Sequence, residues 1–362
     1  MAKSRTPAPS VVPFAKSPTG ITGLDQITQG GLPKGRPTLV CGSSGSGKTL
    51  LGMEFLAKGA SDYGEPGVCF SFEESSHDLI KNVASLGFDV PAMIDQKKLL
   101  IDQIRIEPSE TEESGKYDLE GLFIRLGYVI DSISAKRVVL DSIETLLTAF
   151  DNMGILRAEL HRLFQWLKDK GVTAIVTGER GEGVLTRHGL EEYVSDCVIL
   201  LDQRVDEQIA TRRLRIVKYR GSAHGTNEYP FLLDAQGFTL LPHTAISQQY
   251  IVSDEFISSG VKKLDVLLNS KGYYRGGTVL ISGTSGSGKS SLAAHFIEAA
   301  CQRGERSLYF AFEESPSQVT RNMRSIGIDL QRWQDQGVLH IEAVRPTSIG
   351  LEALLVSIQR LT

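Results

Sequence analysis

The chain has 362 residues, too many for one ordinary core, so two domains are the starting expectation. It is 41% hydrophobic with no apolar run long enough to cross a bilayer, and it reads as a cytoplasmic protein with no membrane partner. A formal net charge of −4 argues against a dedicated nucleic-acid binder, which usually carries a basic excess, while leaving room for a local basic groove.

Residues 1–15 contain Pro and Ser but no continuous apolar core, so they are expected to form a flexible N-terminal arm and not a signal peptide. Strand and helix signals then alternate. Thr38–Gly42, Gly67–Phe72, Arg137–Asp141 and Val172–Gly178 are apolar and strand-like, while Thr49–Ala60, Ser76–Gly87 and Arg157–Gly171 have helical periodicity. This alternation predicts an α/β fold, a mainly parallel sheet with helices on both faces. Cys41, Cys69, Cys197 and Cys301 form no CxxC pair, so they are expected to be small core residues and not metal ligands.

The chain repeats itself. SPTGITGLD, GGLPKGRPTLVCGSSGSGKTLL and GVCFSFEESSHDLIKNVASLGFD return, in the same order, as ISSGVKKLD, GYYRGGTVLISGTSGSGKSSL and SLYFAFEESPSQVTRNMRSIGID. A nearly constant offset over three blocks marks a duplicated domain. The copies are placed at 16–246 and 247–362, with a linker over Pro242–Tyr250. Asp118–Ile130 aligns with Gly350–Thr362, and the chain stops before a second copy of KRVVLDS. The second domain is therefore expected to be incomplete, lacking roughly its C-terminal half, and the chain to be a piece of a longer protein.

Gly42-Ser43-Ser44-Gly45-Ser46-Gly47-Lys48-Thr49 satisfies G-x-x-x-x-G-K-[ST] between a strand and a helix. The glycines let successive main-chain N–H groups turn inward on phosphate, and the helix adds the positive end of its dipole. Lys48 supplies a charge for the outer phosphates, and the Thr49 hydroxyl can ligate Mg²⁺. Gly283-Thr284-Ser285-Gly286-Ser287-Gly288-Lys289-Ser290 repeats the motif, with Ser290 in the place of Thr49 and the same strand–loop–helix setting expected. Two matches at equivalent repeat positions make a chance Gly/Ser turn a poor explanation.

Three further signals are acidic. Asp141 ends an apolar strand, where a carboxylate at the C-terminal sheet edge can hold Mg²⁺ beside the phosphate loop; the simpler alternative is an aspartate opening a turn. Glu73 and Glu74 follow one strand, and Glu313 and Glu314 follow its counterpart. Adjacent carboxylates are costly unless a cation or water uses them, and alternation along a strand directs only one of each pair at the water. The competing reading is acids that favour a helix N-terminus.

GSSGSGKT, FEES, VVLDS and Ile216–Phe231 (IVKYRGSAHGTNEYPF), in that order, resemble the KaiC family, as do Ser17–Asp25 and Gly189–Leu201; the resemblance covers nearly the whole chain from Lys16. It implies two tandem RecA-like P-loop NTPase domains, ATP with Mg²⁺, and a homohexameric double ring with ATP at subunit interfaces. It implies a slow ATPase in the first domain and a serine/threonine autokinase and autophosphatase in the second, serving clock or stress signalling. By position, Gly45 to Leu50 and Ser85 would contact the first nucleotide, with Glu73 and Glu74 catalytic. Ser285 to Ser291 would hold the second, with Glu313 and Glu314 as base. Lys218, Tyr219, Arg220, Ser222 and His224 match positions that reach a neighbour's nucleotide, and Lys218 and Arg220 are expected on one face of a strand, where a cation from the next subunit would act like an arginine finger. Ile106–Asp118 falls where the family exposes a loop for KaiB-like partners, and its acidic make-up fits a plain surface loop equally well. The autophosphorylated Ser/Thr pair falls beyond Thr362, and Ile326 stands where many relatives have an adenine-side tryptophan.

Two alternatives stay open. A RecA- or DnaB-like DNA motor shares the fold, but it would need a platform of aromatics to stack bases, and Gln203–Arg220 holds basic residues with a single aromatic, Tyr219. The other is a scaffold that uses ATP only to assemble.

Overall fold

In the computed structural model, the described residues are 14–84, 86–105, 119–147, 152–181, 185–186, 195–206, 209–241, 253–269, 271–345 and 350–361. The chain divides into two compact units, Met1–Ala245 and Ile246–Thr362. The first unit begins with β1 (Lys16–Ser17), α1 (Leu24–Ile27), β2 (Leu32–Pro33), β3 (Pro37–Gly42), α2 (Lys48–Asp62), β4 (Gly67–Ser71), α3 (Ser76–Ala84), α4 (Val90–Asp95) and β5 (Leu99–Gln103). It continues with α5 (Glu120–Ser132), β6 (Arg137–Asp141), α6 (Glu144–Leu147), α7 (Met153–Asp169), β7 (Thr173–Glu179), β8 (Cys197–Asp206), β9 (Ile209–Tyr219), β10 (Glu228–Asp234) and β11 (Gly237–Leu240).

Period-two alternation builds the sheet. Cys69, Val139 and Ile175 pack on one face with Leu51, Phe55 and Leu79, while their neighbours Phe70, Val138 and Val176 pack on the other with Phe123, Leu126 and Phe164. Six strands lie parallel in the order β8-β3-β7-β6-β4-β5, and β9, β10 and β11 extend the sheet beyond β8 with antiparallel pairing. The mainly parallel sheet with helices on both faces is thus as the sequence predicts, and the antiparallel extension is an addition. Phe14 and Ala15, placed in the arm by sequence, belong to the domain: Phe14 meets Tyr219 edge-on at 6.2 Å, and Ala15 O accepts from Lys34 N at 3.0 Å.

The foot of β6 is fixed by a fully buried arginine. Arg137 donates to Glu65 at 2.7 Å, to Phe55 O at 2.9 Å and to Pro18 O at 2.7 Å, so its charge is paired as burial requires. That anchor sets the far end of the strand, Asp141. All four cysteines are buried, and burial pushes the Cys197 thiol up to about 12 and the Cys69 thiol well up, with Asp141 and Glu74 adding to the latter.

The second unit repeats the early elements as β12 (Phe256–Ile257), α8 (Lys262–Leu267), β13 (Tyr273–Tyr274), α9 (Lys289–Gln302), β14 (Ser307–Ala311), α10 (Pro316–Arg324), α11 (Leu330–Asp335), β15 (Leu339–Ala343) and α12 (Leu351–Leu361). β14 and β15 pair in parallel. The strand expected ahead of the second phosphate loop is a correction: residues 278–283 form no strand, and Leu280 is 90% exposed. The cause is in the first unit, where β3 is held between β7 and β8. Among the described residues of the second unit, no strand pairs with residues 278–283.

Candidate active site

At the C-terminal edge of the parallel strands, a cleft of about 390 Å³ opens over the first phosphate loop. Two strand ends and one loop bring its chemistry together. Gly47 caps α2 with φ 99°, a conformation that L side chains rarely adopt, and a Cβ there would lie 2.8 Å from Leu233 of β10. The loop can therefore close only with glycine. Ser44, Gly45, Gly47, Lys48, Thr49 and Leu50 line the cleft, and Lys48 Nζ donates to Gly42 O at 2.8 Å and Ser43 O at 3.0 Å. Ser46 is buried behind the loop, 1% exposed.

Across the cleft stand Glu73, Glu74 and Asp141. β6 pairs with β4, which sets Asp141 opposite Ser71 and just ahead of the two glutamates. Thr177 Oγ1 of the adjacent strand donates to Asp141 Oδ1. The glutamates diverge. Glu73 Oε1 accepts from Ser142 Oγ at 2.6 Å and from Thr145 Oγ1 at 3.3 Å, whereas Glu74 Oε2 accepts from Asn82 Nδ2 at 3.0 Å. One carboxylate is thus held toward the end of β6 and the other toward α3. Neither is a first-turn helix acid, because Ser75 precedes α3 as its cap and accepts from Asp78 N at 3.1 Å. In the second unit Glu314 repeats the asparagine link, to Asn322 at 3.2 Å.

The basic residues lie elsewhere. β9 runs antiparallel, so Tyr219 stands level with Cys197 and Thr38, at the foot of β3. Gly42, at its head, is four residues on from Thr38, or about 13 Å away. Lys218, Arg220, Ser222 and His224 therefore do not gather around their own phosphate loop. Arg220 lies just past the end of β9, not along it as expected, and its side chain is 57% exposed. Tyr219 is buried and donates its hydroxyl to Gly31 O at 2.8 Å, and burial raises its pKa. Ser85 and residues 106–118 lie outside the described residues.

Ser71, Ser142, Glu179, Arg212 and Leu233 also line the cleft, and sequence reading did not single them out. Arg212 shares the β9 face of Leu214 and Ile216, which are buried. The register pairs Leu214 with Leu201 and Leu201 with Gly42, which lifts Arg212 over the loop. Its Nε is buried without a hydrogen-bond partner among the described residues. Alternation was legible in the sequence; the register was not.

A family model described as the KaiC ATPase matches residues 17–245 and 257–359. The chain belongs to the KaiC ATPase family. Among curated relatives, the chain is 57% identical over 343 residues to a circadian clock protein KaiC2 of Synechocystis sp., covering 95% of this chain and 60% of that protein. It is 41% identical to a circadian clock oscillator protein KaiC of Parathermosynechococcus lividus, covering 95% of this chain and 64% of that protein. A third KaiC, of Parasynechococcus marenigrum, is 40% identical, with 93% and 66% covered. The chain thus spans about three fifths of its KaiC relatives' length. No described helix is long and apolar enough to cross a membrane.

Proposed function

We propose that this KaiC-family chain hydrolyses ATP at the first phosphate loop, with Mg²⁺, in a hexameric ring in the cytoplasm. The observation that carries the reading is the cleft that joins Lys48 and Thr49 to Glu73, Glu74 and Asp141. Its donors suit the ion. Among the described residues no three His, Cys, Asp or Glu side chains gather into a protein-only cage. A Mg²⁺ held by the Thr49 hydroxyl and Asp141 would take its other oxygens from phosphate and water, as Mg²⁺ commonly does. The ion would neutralise charge on the phosphates.

The protein's own residues do the rest. Main-chain N–H groups of the loop and the Lys48 ammonium bind the phosphates and spread their charge. Ser142 and Thr145 occupy one oxygen of Glu73. Its other oxygen is left to orient the attacking water and accept its proton. Arg212 supplies a second cation from the same chain. Lys218, Arg220, Ser222 and His224, at the opposite sheet edge, serve a neighbouring copy's nucleotide.

For a longer protein, we extend the reading to Ser285–Ser291 holding a second ATP, to Glu313 and Glu314 as base, and to serine/threonine autokinase and autophosphatase activity. The curated relatives' names support a clock role, and a KaiB-like contact through residues 106–118 rests on the family resemblance alone. The test is phosphate release by the whole chain. Glu73→Gln is expected to lower kcat by at least about 100-fold. Unchanged release would leave only an ATP-dependent scaffold.

A further inference from the structure

At the foot of the first unit's sheet, three segments bring cations to one buried carboxylate. Asp196, just ahead of β8, has a side chain only 3% exposed. Lys168, in the last turn of α7, reaches its Oδ2 at 2.8 Å. Arg36, just ahead of β3, lies 3.6 Å from the same oxygen. Arg220, just past β9, lies 3.6 Å from Oδ1, and its main-chain N–H donates to Asp196 O at 2.9 Å. Three cations thus share one anion, and the cluster keeps a net positive charge.

We propose that Asp196 is the positioning residue for Arg220 in its action on a neighbouring copy's nucleotide, a proposal that rests on the trans reading above. A buried carboxylate stripped of partners is costly, so Asp196 keeps cations close. Lys168, at 2.8 Å, gives it a direct bridge. Arg220 is held differently. A separation of 3.6 Å is too long for a direct hydrogen bond, so the carboxylate steers the guanidinium without saturating its donors. The main-chain bond fixes where the residue starts, and the exposed fork stays available to phosphate, which it can engage through two parallel bonds. Phe14 braces the arrangement from outside: the Arg36 guanidinium stands 5.0 Å above its ring, and a Cβ on Gly221 would come within 3.1 Å of it. The distance to the chain's own loop leaves a second copy as the recipient.

The test is a double-mutant cycle on phosphate release by the whole chain. Arg220→Ala is expected to lower kcat by about 100-fold or more. Asp196→Asn should lower kcat by roughly 10-fold with KM unmoved, because a misplaced group costs rate and not ground-state binding. In the Arg220→Ala background, Asp196→Asn should cost nothing further. If Asp196→Asn does not fold, Asp196→Glu keeps the charge, shifts its place and carries the same cycle. An equal loss in both backgrounds, or no loss in either, overturns the proposal. Mixing Lys48→Ala with Arg220→Ala chains separates the underlying reading, since trans action predicts turnover above either variant alone. Recovery without coupling removes the positioning role only, and no recovery removes the trans reading and the proposal with it.

Discussion

Lys48 and Lys289 make the same two bonds back to their own loops, at 2.8 and 3.0 Å in the first unit and 2.8 and 2.9 Å in the second. Gly47 and Gly288 both take a positive φ, 99° and 86°. Ahead of the loops the copies part. Leu39 is fully buried in a strand with neighbours on both sides, while its counterpart Leu280 is 90% exposed and in no strand. Behind the loops they part as well, since Gly47 presses on Leu233 and Phe238 and Gly288 has nothing within 4 Å of an added Cβ. The loop is a local structure that glycine placement can set unaided. The strand beneath it is a tertiary structure, and it exists only where other strands pair with it.

The sharpest way to break this comparison is to place a charge at equivalent positions. Leu39→Asp should destabilise the first unit by at least ~4 kcal/mol, because the carboxylate would be buried without a partner. Leu280→Asp should shift stability by no more than ~0.5 kcal/mol, as surface changes usually do. Calorimetric unfolding of both variants reads this directly, and equal losses would mean that residues 278–283 are packed as β3 is.

A smaller effect sharpens the comparison from the acid side. Glu305 accepts from Arg303 and Arg275, which hold its carboxyl down to about 2 from an ordinary 4.5. A depressed folded-state value stabilises the second unit above about pH 4.5, and that contribution is lost as the pH falls toward about 2. The groups are partly exposed, so water screens the effect. Glu305→Gln should lower the second unit's unfolding temperature by at most a few degrees at neutral pH and flatten its acid dependence. A first-unit melt that moves instead would contradict the assignment.

Much of this was legible in the sequence because it was local. The two phosphate motifs, the alternation of β4, β6 and β7, and the divergence of paired glutamates all follow from residue type and spacing. The strand expected ahead of Gly283 fails for the opposite reason: Thr278–Ser282 has the apolar pattern of a strand, and the pattern carries no information about whether partners are present. Arg212 escapes sequence reading because its place depends on the β3-β8-β9 register. Arg220, expected on a strand, lies one residue past its end at Tyr219, where the chain turns through Gly221 with φ 77°.

On the proposed reading, catalysis belongs to the first loop, where Lys48 faces Glu73 and Asp141 across one cleft. The direct measurement is Mg²⁺-dependent phosphate release by Lys48→Ala and Lys289→Ala, each in the whole chain. Lys48→Ala should reduce release by about 100-fold or more, and Lys289→Ala by no more than about twofold. Equal losses in the two variants, or full release by Lys48→Ala, would contradict it.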